Sequence, residues 1–385
     1  MNESFAKNNQ KDNLRGITNI SITGYKSLES ECNIEVRPLT ILAGANSSGK
    51  SSVIQPLLLL KQTLEATYDP GALKLDGPNV KFTSASQFFS RIQGKTGGDR
   101  FSIKLTIDGG LSLTNIYGRS SDGVLEILES TVKKEESVSN LFSPSLFAPP
   151  IRRLIHVPGF RGNPERNYKL TGISSAFPGT FEIYTASIIN HWQKTDNPRL
   201  IELWKAMETL ELTSKVVAKK LNDIEIELLV SDLPGKDDEN HLISIADVGF
   251  GLSQILPVIV ALIVAEPGQL VYLEQPEIHL HPRATAALGD LLVKAANRGV
   301  KVIAETHSDL LLRRVQSLVA EGKIAPENLK LHWFQLKENG VTEINSADLD
   351  DAGAYGEDWP EDFSDVALDE ESRYLDAAEA RLLVR

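Results

Sequence analysis

The apolar positions of the chain fall into two regimes. In the first, apolar and polar residues alternate in short runs broken by Gly, Asp and Ser: Ile17 to Leu28, Cys32 to Val36, Phe101 to Ile107, Leu111 to Tyr117 and Val124 to Val132. A period of two predicts half-buried strands. The first two runs read as strands leading into the next element, and residues 70–150 as an antiparallel β subdomain built of hairpins. In the second regime the runs are continuous. Leu39 to Ala43, Gln269 to Leu273 and Val300 to Ala304 are the pattern of buried strands, and helix-period stretches reach to Ala265 and cover Ala284 to Asn297. Residues 329–345 add a last pair of strands. Buried strands that end in polar clusters and alternate with helices predict an α/β fold with its site at the strand C-termini. Residues 178–221 read as helical, with Trp192, Leu200, Trp204 and Met207 as core positions, too short and without the heptads for a long coiled-coil arm. Ile224 to Val230 and Leu242 to Ile245 read as a hairpin around Pro234 to Asp238.

The stretch between the first buried strand and the helix after it carries chemistry. Gly44-Ala45-Asn46-Ser47-Ser48-Gly49-Lys50-Ser51 spells G-x-x-x-x-G-K-S, a phosphate-binding P-loop, in the strand–loop–helix setting the motif needs. The glycines let the backbone curl around an anion, and the amides and positive end of the helix over residues 52–66 face the phosphates. Gly44, Asn46, Ser47, Ser48, Gly49, Lys50, Ser51 and Ser52 are therefore candidate ATP contacts. Lys50 reaches the β and γ phosphates, and Ser51 places its hydroxyl on Mg²⁺. Pro56 falls early enough in the helix to be a kink at most.

Charge changes the picture in one respect. The formal net charge is −12 over 385 residues. Fourteen acidic residues against three basic ones lie in residues 341–385, a net of −11, which leaves about −1 for everything before them. The imbalance describes an acidic tail and does not exclude DNA as a partner for the body. The basic run Arg152, Arg153, His156, Arg161, Arg166 and Lys169 reads equally as a phosphate or nucleic-acid contact and as a solvated loop pairing with that tail. Cys32 is the single cysteine, so an intrachain disulfide and a cysteine metal cluster are excluded. Met1 to Asp12 lacks the apolar core of a secretory signal, and the longest apolar run, Ile255 to Ala265, is too short for a bilayer. The expectation is a cytoplasmic protein without a membrane partner.

Other positions stay open. Gly24-Tyr25-Lys26-Ser27 sits where an aromatic ring or a cation meets a nucleotide, or is a turn with a surface lysine. Gln87 and Gln93 read as γ-phosphate-sensing glutamines or as ordinary surface residues. Three motifs then follow in close order: Gly249-Phe250-Gly251-Leu252-Ser253-Gln254, Glu274-Gln275-Pro276-Glu277-Ile278-His279-Leu280-His281-Pro282, and Glu305-Thr306-His307-Ser308.

With the P-loop, these motifs resemble the ABC-type ATPases, within them the SMC/RecF-like and OLD-like branch, and especially a bacterial AAA-family subgroup with "EQPEIHLHP" and a C-terminal "WPE", here Trp359-Pro360-Glu361. The likeness covers roughly residues 17–60 and 240–365. It implies an α/β, ABC-type P-loop NTPase head with an antiparallel β subdomain, an inserted helical segment and no long coiled coil. The implied organisation is a flexible arm over 1–16, the ATPase domain over 17–345 with a helical or lid insert at about 150–240, and an acidic tail over 346–385. It also implies a homodimer or higher homo-oligomer, closing head to tail over two ATP molecules so that the P-loop of one copy meets Ser253 of the other. His307 resembles the switch histidine that contacts the γ-phosphate. His279 and His281 look like a metal pair but fit packing at the dimer-facing loop better.

The chain departs from the family at its catalytic strand end. Alignment on Pro276 puts Glu274 in the place of the Mg²⁺-holding Asp and Gln275 in the place of the water-activating Glu. A glutamine orients water but cannot take its proton, and general-base help is a roughly 10²–10⁴-fold effect. Slow hydrolysis follows, unless Gln275 positioning suffices, or Glu277 reaches the water, or Glu305 substitutes. OLD-like nucleases carry a C-terminal acidic metal domain, for which the residues after Ser308 are too few. The resemblance therefore implies a sensor or scaffold for a separate effector, such as a nuclease, in anti-phage defence. A hydrolysis-deficient ATP-locked scaffold and a RecF-like DNA repair ATPase are the alternatives.

Overall fold

The computed structural model describes residues 15–90, 98–121, 123–134, 137–138, 143–231, 242–356 and 372–375. Strands β1 (Ile17–Thr23) and β2 (Cys32–Glu35) precede β3 (Leu39–Gly44) and helix α1 (Lys50–Leu64). Next come β4 (Arg100–Ile107), β5 (Leu111–Arg119), β6 (Leu125–Lys134) and β7 (Ser137–Val138). The middle of the chain holds α2 (Ala148–Arg152), β8 (Ile155–Val157), β9 (Tyr168–Lys169), α3 (Thr185–Lys194), α4 (Arg199–Thr209), β10 (Val216–Lys220) and β11 (Glu225–Ser231). Then follow β12 (Leu242–Ser244), α5 (Phe250–Val264), β13 (Leu270–Glu274), α6 (Pro282–Asn297), β14 (Lys301–Thr306), α7 (Asp309–Ala320), β15 (Leu329–Leu336) and β16 (Thr342–Ala347).

The central sheet has the order β16-β15-β3-β14-β13-β8. Every pairing in it is parallel except β15 with β16. A parallel sheet needs cover on both faces, which is why its strands read as unbroken apolar runs. Side chains of β3 alternate between two cores: Leu39, Ile41 and Ala43 face α5, α6 and α7, while Leu42 faces α1. The same alternation sends Val271 and Leu273 one way and Leu270 and Tyr272 the other. Over the α1 face lies the antiparallel sheet, of order β2-β1-β4-β5-β6-β7. A third sheet joins β10, β11 and β12, with β9 on the side of β11.

The β subdomain of hairpins is present, but it starts earlier than its alternation suggested. β1 and β2 are its edge, with Ile20 opposite Leu105 of β4, and they do not extend the P-loop sheet. The continuous helical reading of residues 178–221 is corrected at its end. Val216 and Ala218 are buried while Lys219 and Lys220 are exposed, a period of two over five residues that pairs with β11. Trp192, Leu200 and Met207 are core residues; Trp204 is half-buried and donates its indole N–H to the Val216 carbonyl at 2.8 Å. The basic stretch hides a three-residue strand, β8, at the edge of the main sheet. Pro56 sits inside α1, which continues through it. Among the described residues no helix is long and apolar enough to cross a membrane. The arm up to residue 14, Gln93, the Pro234–Asp238 turn and Trp359-Pro360-Glu361 lie outside the described residues.

His332 on β15 ties the two sheets together. It is 1 % exposed, with one ring nitrogen 3.1 Å from the Glu35 carbonyl and the other 2.7 Å from Ser346 Oγ. The carbonyl can only accept, so that nitrogen carries the proton and the other accepts from the serine. Burial lowers the ring pKa to about 4, against the pull of the Glu35 carbonyl. The unfolded ring, at about 6.5, takes up its proton first, so stability is full above that pH and is lost as pH falls from 6.5 to 4, by about 3 kcal/mol. Urea unfolding at pH 7.5 and pH 4.5 should show a smaller acid loss in His332→Gln than in wild type; equal losses would refute the assignment.

Candidate functional site

The P-loop leaves β3 and enters α1 through Gly49, which caps the helix at φ +104°. A Cβ there would lie 2.5 Å from Thr342 Oγ1 as well as being strained, so glycine is required on both counts. The first amides of α1 have no side-chain cap and no acidic residue in the first turn, the arrangement that suits a phosphate. Lys50 is 3 % exposed and folds back, its Nζ donating to the carbonyls of Gly44 (2.9 Å) and Ala45 (2.7 Å). Burial lowers its pKa, opposed by the charges of Glu305 and Glu277. Thr342, on β16 beyond β15, pins the loop. Its hydroxyl meets Ser48 O at 2.8 Å and Ser27 Oγ at 2.7 Å.

A cleft of about 710 Å³ opens over this loop. Asn46 to Ser52 line it, and Gln275, Glu305 and His307 face into it from the ends of β13 and β14. Lys26, Gln87 and Phe89 line it too. Lys26 donates to Gln55 Oε1 at 2.6 Å, so its turn does bring a cation to the cleft, while Tyr25 is fully buried. Gln87 is in the wall, but its side-chain oxygen accepts from the amides of Thr83 and Ser84 in a capping box. Gln275 holds a left-handed turn at φ +42°, its N–H bonded to the Glu305 carbonyl at 2.8 Å. The His307 pKa is lowered by burial and by the Lys50 charge, which keeps the ring neutral near pH 7. Glu277 is turned aside: its Oε1 accepts from Thr306 Oγ1 (2.5 Å) and the His307 N–H (3.2 Å).

The carboxylate that touches Ser51 is Glu305, and the alignment with typical ABC motifs did not point to it. Ser51 Oγ lies 2.9 and 3.0 Å from its two oxygens, and Tyr272 OH donates to one of them at 2.8 Å. Glu274, its register neighbour on β13, turns toward β8 instead. There it meets His156 Nε2 at 3.1 Å and the Gly159 N–H at 3.0 Å. Burial would raise the Glu274 pKa, but the His156 and Gly159 hydrogen bonds and the Arg161 charge more than offset it and leave it lowered. Burial raises that of Glu305, and the Glu274 charge adds to the rise. The buried Glu305 carboxyl, short of positive charge, and the Ser51 hydroxyl are hard oxygen donors. They fit Mg²⁺, which takes one or two carboxylates and completes its shell with water and phosphate oxygens.

Ser253 stands apart. It lies in the first turn of α5, its Oγ donating to Phe250 O at 2.8 Å, and it borders a different cavity. Gly251 beside it approaches the His279 carbonyl so closely that a Cβ would sit 2.6 Å away. His279 packs its ring edge-on to Phe250, and His281 caps α6, so both do structural work. No group of three or more His, Cys, Asp or Glu that could hold a metal occurs among the described residues. The basic run is largely spent internally. Arg153 pairs with Glu266 and Arg166 with Asp247, His156 meets Glu274, and Arg161 is buried.

A family described as "AAA domain, putative AbiEii toxin, Type IV TA system" matches residues 39–313. The Old nuclease of Escherichia phage P2 is 21% identical over 390 residues, covering 86% of this chain and 64% of the nuclease. The chain thus spans less than two thirds of that curated relative. Among solved structures, an Smc head bound to the C-winged helix domain of ScpA matches with a TM-score of 0.56 at 13% identity, over 88% of this chain and 99% of that one. An Smc head with an extended coiled coil, from Pyrococcus furiosus and bound to the C-terminal domain of ScpA, matches at 0.51 and 13%, over 86% and 96%. At such identity the likeness is one of fold.

Thr342→Val keeps the shape of the side chain and removes only its hydroxyl. The buried Ser48 carbonyl then loses a partner, which should cost about 1–3 kcal/mol in urea unfolding and weaken nucleotide binding in titration. Unchanged stability and affinity would show that the contact is dispensable.

Proposed function

The chain belongs to this AAA-domain family and has the ABC-type P-loop NTPase fold of SMC heads, and on that premise we propose that it is a slow Mg²⁺-dependent ATPase that closes head to tail around ATP and signals to a separate effector. The observation that carries the reading is the meeting of Lys50, Ser51, Glu305, Gln275 and His307 in one cleft at the ends of three parallel strands. Ser253 is absent from that cleft, in keeping with a role toward the nucleotide of a second copy.

In this reading the helix amides of α1 hold the phosphates, and Lys50 leaves the Gly44 and Ala45 carbonyls for the β and γ oxygens. Ser51 and Glu305 would hold Mg²⁺, with Glu274 near; the bound ion would supply charge neutralisation at the β and γ phosphates. Gln275 orients the attacking water through its amide. The new bond forms from water oxygen to the γ-phosphorus and the bond to the β-bridging oxygen breaks. With no carboxylate at position 275, the water proton passes to a γ-phosphoryl oxygen. His307, neutral, hydrogen-bonds the γ-phosphate. Phosphoryl transfer tolerates such a site because positioning and charge neutralisation do most of the work. Anti-phage defence is the proposed setting, supported by the Old nuclease relative from a phage; the separate effector carries whatever cleavage the response needs.

ATP turnover tests the reading. Wild type should turn over slowly, Lys50→Ala should bind and hydrolyse at least about 100-fold less, and Gln275→Glu should gain about 10²-fold or more in kcat. ATP binding without turnover in wild type, restored by Gln275→Glu, would instead favour the ATP-locked scaffold. A protein that does not bind ATP would end both readings.

A further inference from the structure

The turn that aims Gln275 is held from the far side of β13 by a residue outside the cleft. Arg161, between β8 and β9, is 6 % exposed, and its Nη2 donates to the carbonyls of Glu274 (2.7 Å) and Gln275 (3.1 Å). These are the two carbonyls that flank the left-handed backbone of Gln275. A non-glycine residue in that region needs surroundings that over-determine it. The Gln275 N–H on Glu305 is one tether, the Ile278 N–H on the Gln275 carbonyl at 3.2 Å is a second, and Arg161 adds two more.

The arginine is poorly explained as a folding ion pair. Its Nε and Nη1 are buried without partners. Glu277, Glu274 and Glu182 act on it through charge alone, and burial still lowers its pKa to about 10. A buried guanidinium left in this state is costly, and its fixed donors are spent on main-chain carbonyls at the catalytic strand end. Its own loop is clamped in turn by Gln254, which is 1 % exposed and follows Ser253 on α5. Gln254 Oε1 accepts from the Arg161 N–H at 3.4 Å, and its Nε2 donates to Gly162 O at 2.8 Å.

We propose that Arg161 is a positioning residue of the nucleotide cleft, which fixes the Gln275 turn and, through Gln254, ties it to the helix that carries Ser253. Any shift at the start of α5 is thereby felt at Gln275. The catalytic half of this inference rests on the hydrolysis reading above; the strut itself does not.

The test uses the full chain with Arg161→Lys, Arg161→Ala and Gln254→Leu, the last as a variant that leaves no charge unpaired. Two readouts are taken: steady-state ATP turnover, and hydrogen exchange of residues 274–278 without nucleotide. Each variant should exchange faster in that segment while β3 and β14 stay protected. Each should also lose about 10- to 100-fold in kcat, with KM changed less than about 3-fold, as expected when a transition-state group is misplaced and uniform binding is kept. Millimolar guanidinium should restore part of the Arg161→Ala turnover. Unchanged exchange in the segment overturns the strut whether or not the protein is an ATPase. Faster exchange with unchanged kcat, in a wild type that hydrolyses ATP, overturns the catalytic role. Faster exchange with a wild type that never hydrolyses ATP keeps the strut and counts against the hydrolysis reading.

Discussion

Everything at the cleft depends on β14 lying in parallel register between β3 and β13. That register sets Glu305 beside both Leu42 and Glu274, two residues before Gly44, where β3 opens into the P-loop turn. Three strand ends then share one edge, and the crevice outside them is where ligands bind in open α/β sheets. Both faces of this parallel sheet are buried, as such sheets require. The cores on either side draw alternate residues from the same strands, so a shift of one strand would disturb both.

A second consequence of the register is electrostatic. It brings Glu274 and Glu305 side by side at the strand ends, and the chain separates them by partner. Glu274 turns to His156 and the Gly159 amide, and Glu305 to Ser51 and Tyr272. Their pKa shifts move apart, downward for the first and upward for the second. Without added positive charge Glu305 is under-compensated, and Lys50 occupies itself with carbonyls of its own loop. The nucleotide and its cation would supply what each side lacks: phosphates for Lys50 and the helix amides, and positive charge for the carboxyls.

Much of this was legible in the sequence, and the remainder was hidden for a definite reason. The P-loop, the buried strands and the helices between them are written in contiguous residues, where local spacing and hydrophobic period carry the signal. The antiparallel hairpins were legible in the same way. Strand β8 escaped because three residues cannot establish a period, and β10 because a short alternation was absorbed into a helical frame. The contacts that organise the cleft cross the chain: Ser51 to Glu305, His156 to Glu274, Thr342 to Ser48 and Arg161 to the carbonyls of 274 and 275. Glu305 was visible as the first residue of the Glu305-Thr306-His307-Ser308 motif and as a possible substitute base, but its contact with Ser51 could not be read from spacing. Arg161 was visible only as one charge in a basic run, where burial and partner could not be told from spacing.

The proposed ATP cycle requires that the cleft be half of a composite site, completed by Ser253 of a second copy. The most direct measurement is the mass of the protein in solution, by light scattering after size exclusion, with Mg²⁺ alone and with Mg²⁺ and ATP, for wild type and Ser253→Arg. A composite site should give a monomer-to-dimer shift that needs ATP, is lost in Ser253→Arg, and decays in wild type as ATP is consumed. ATP binding with no change in mass, or an ATP-driven dimer indifferent to Ser253→Arg, would contradict it.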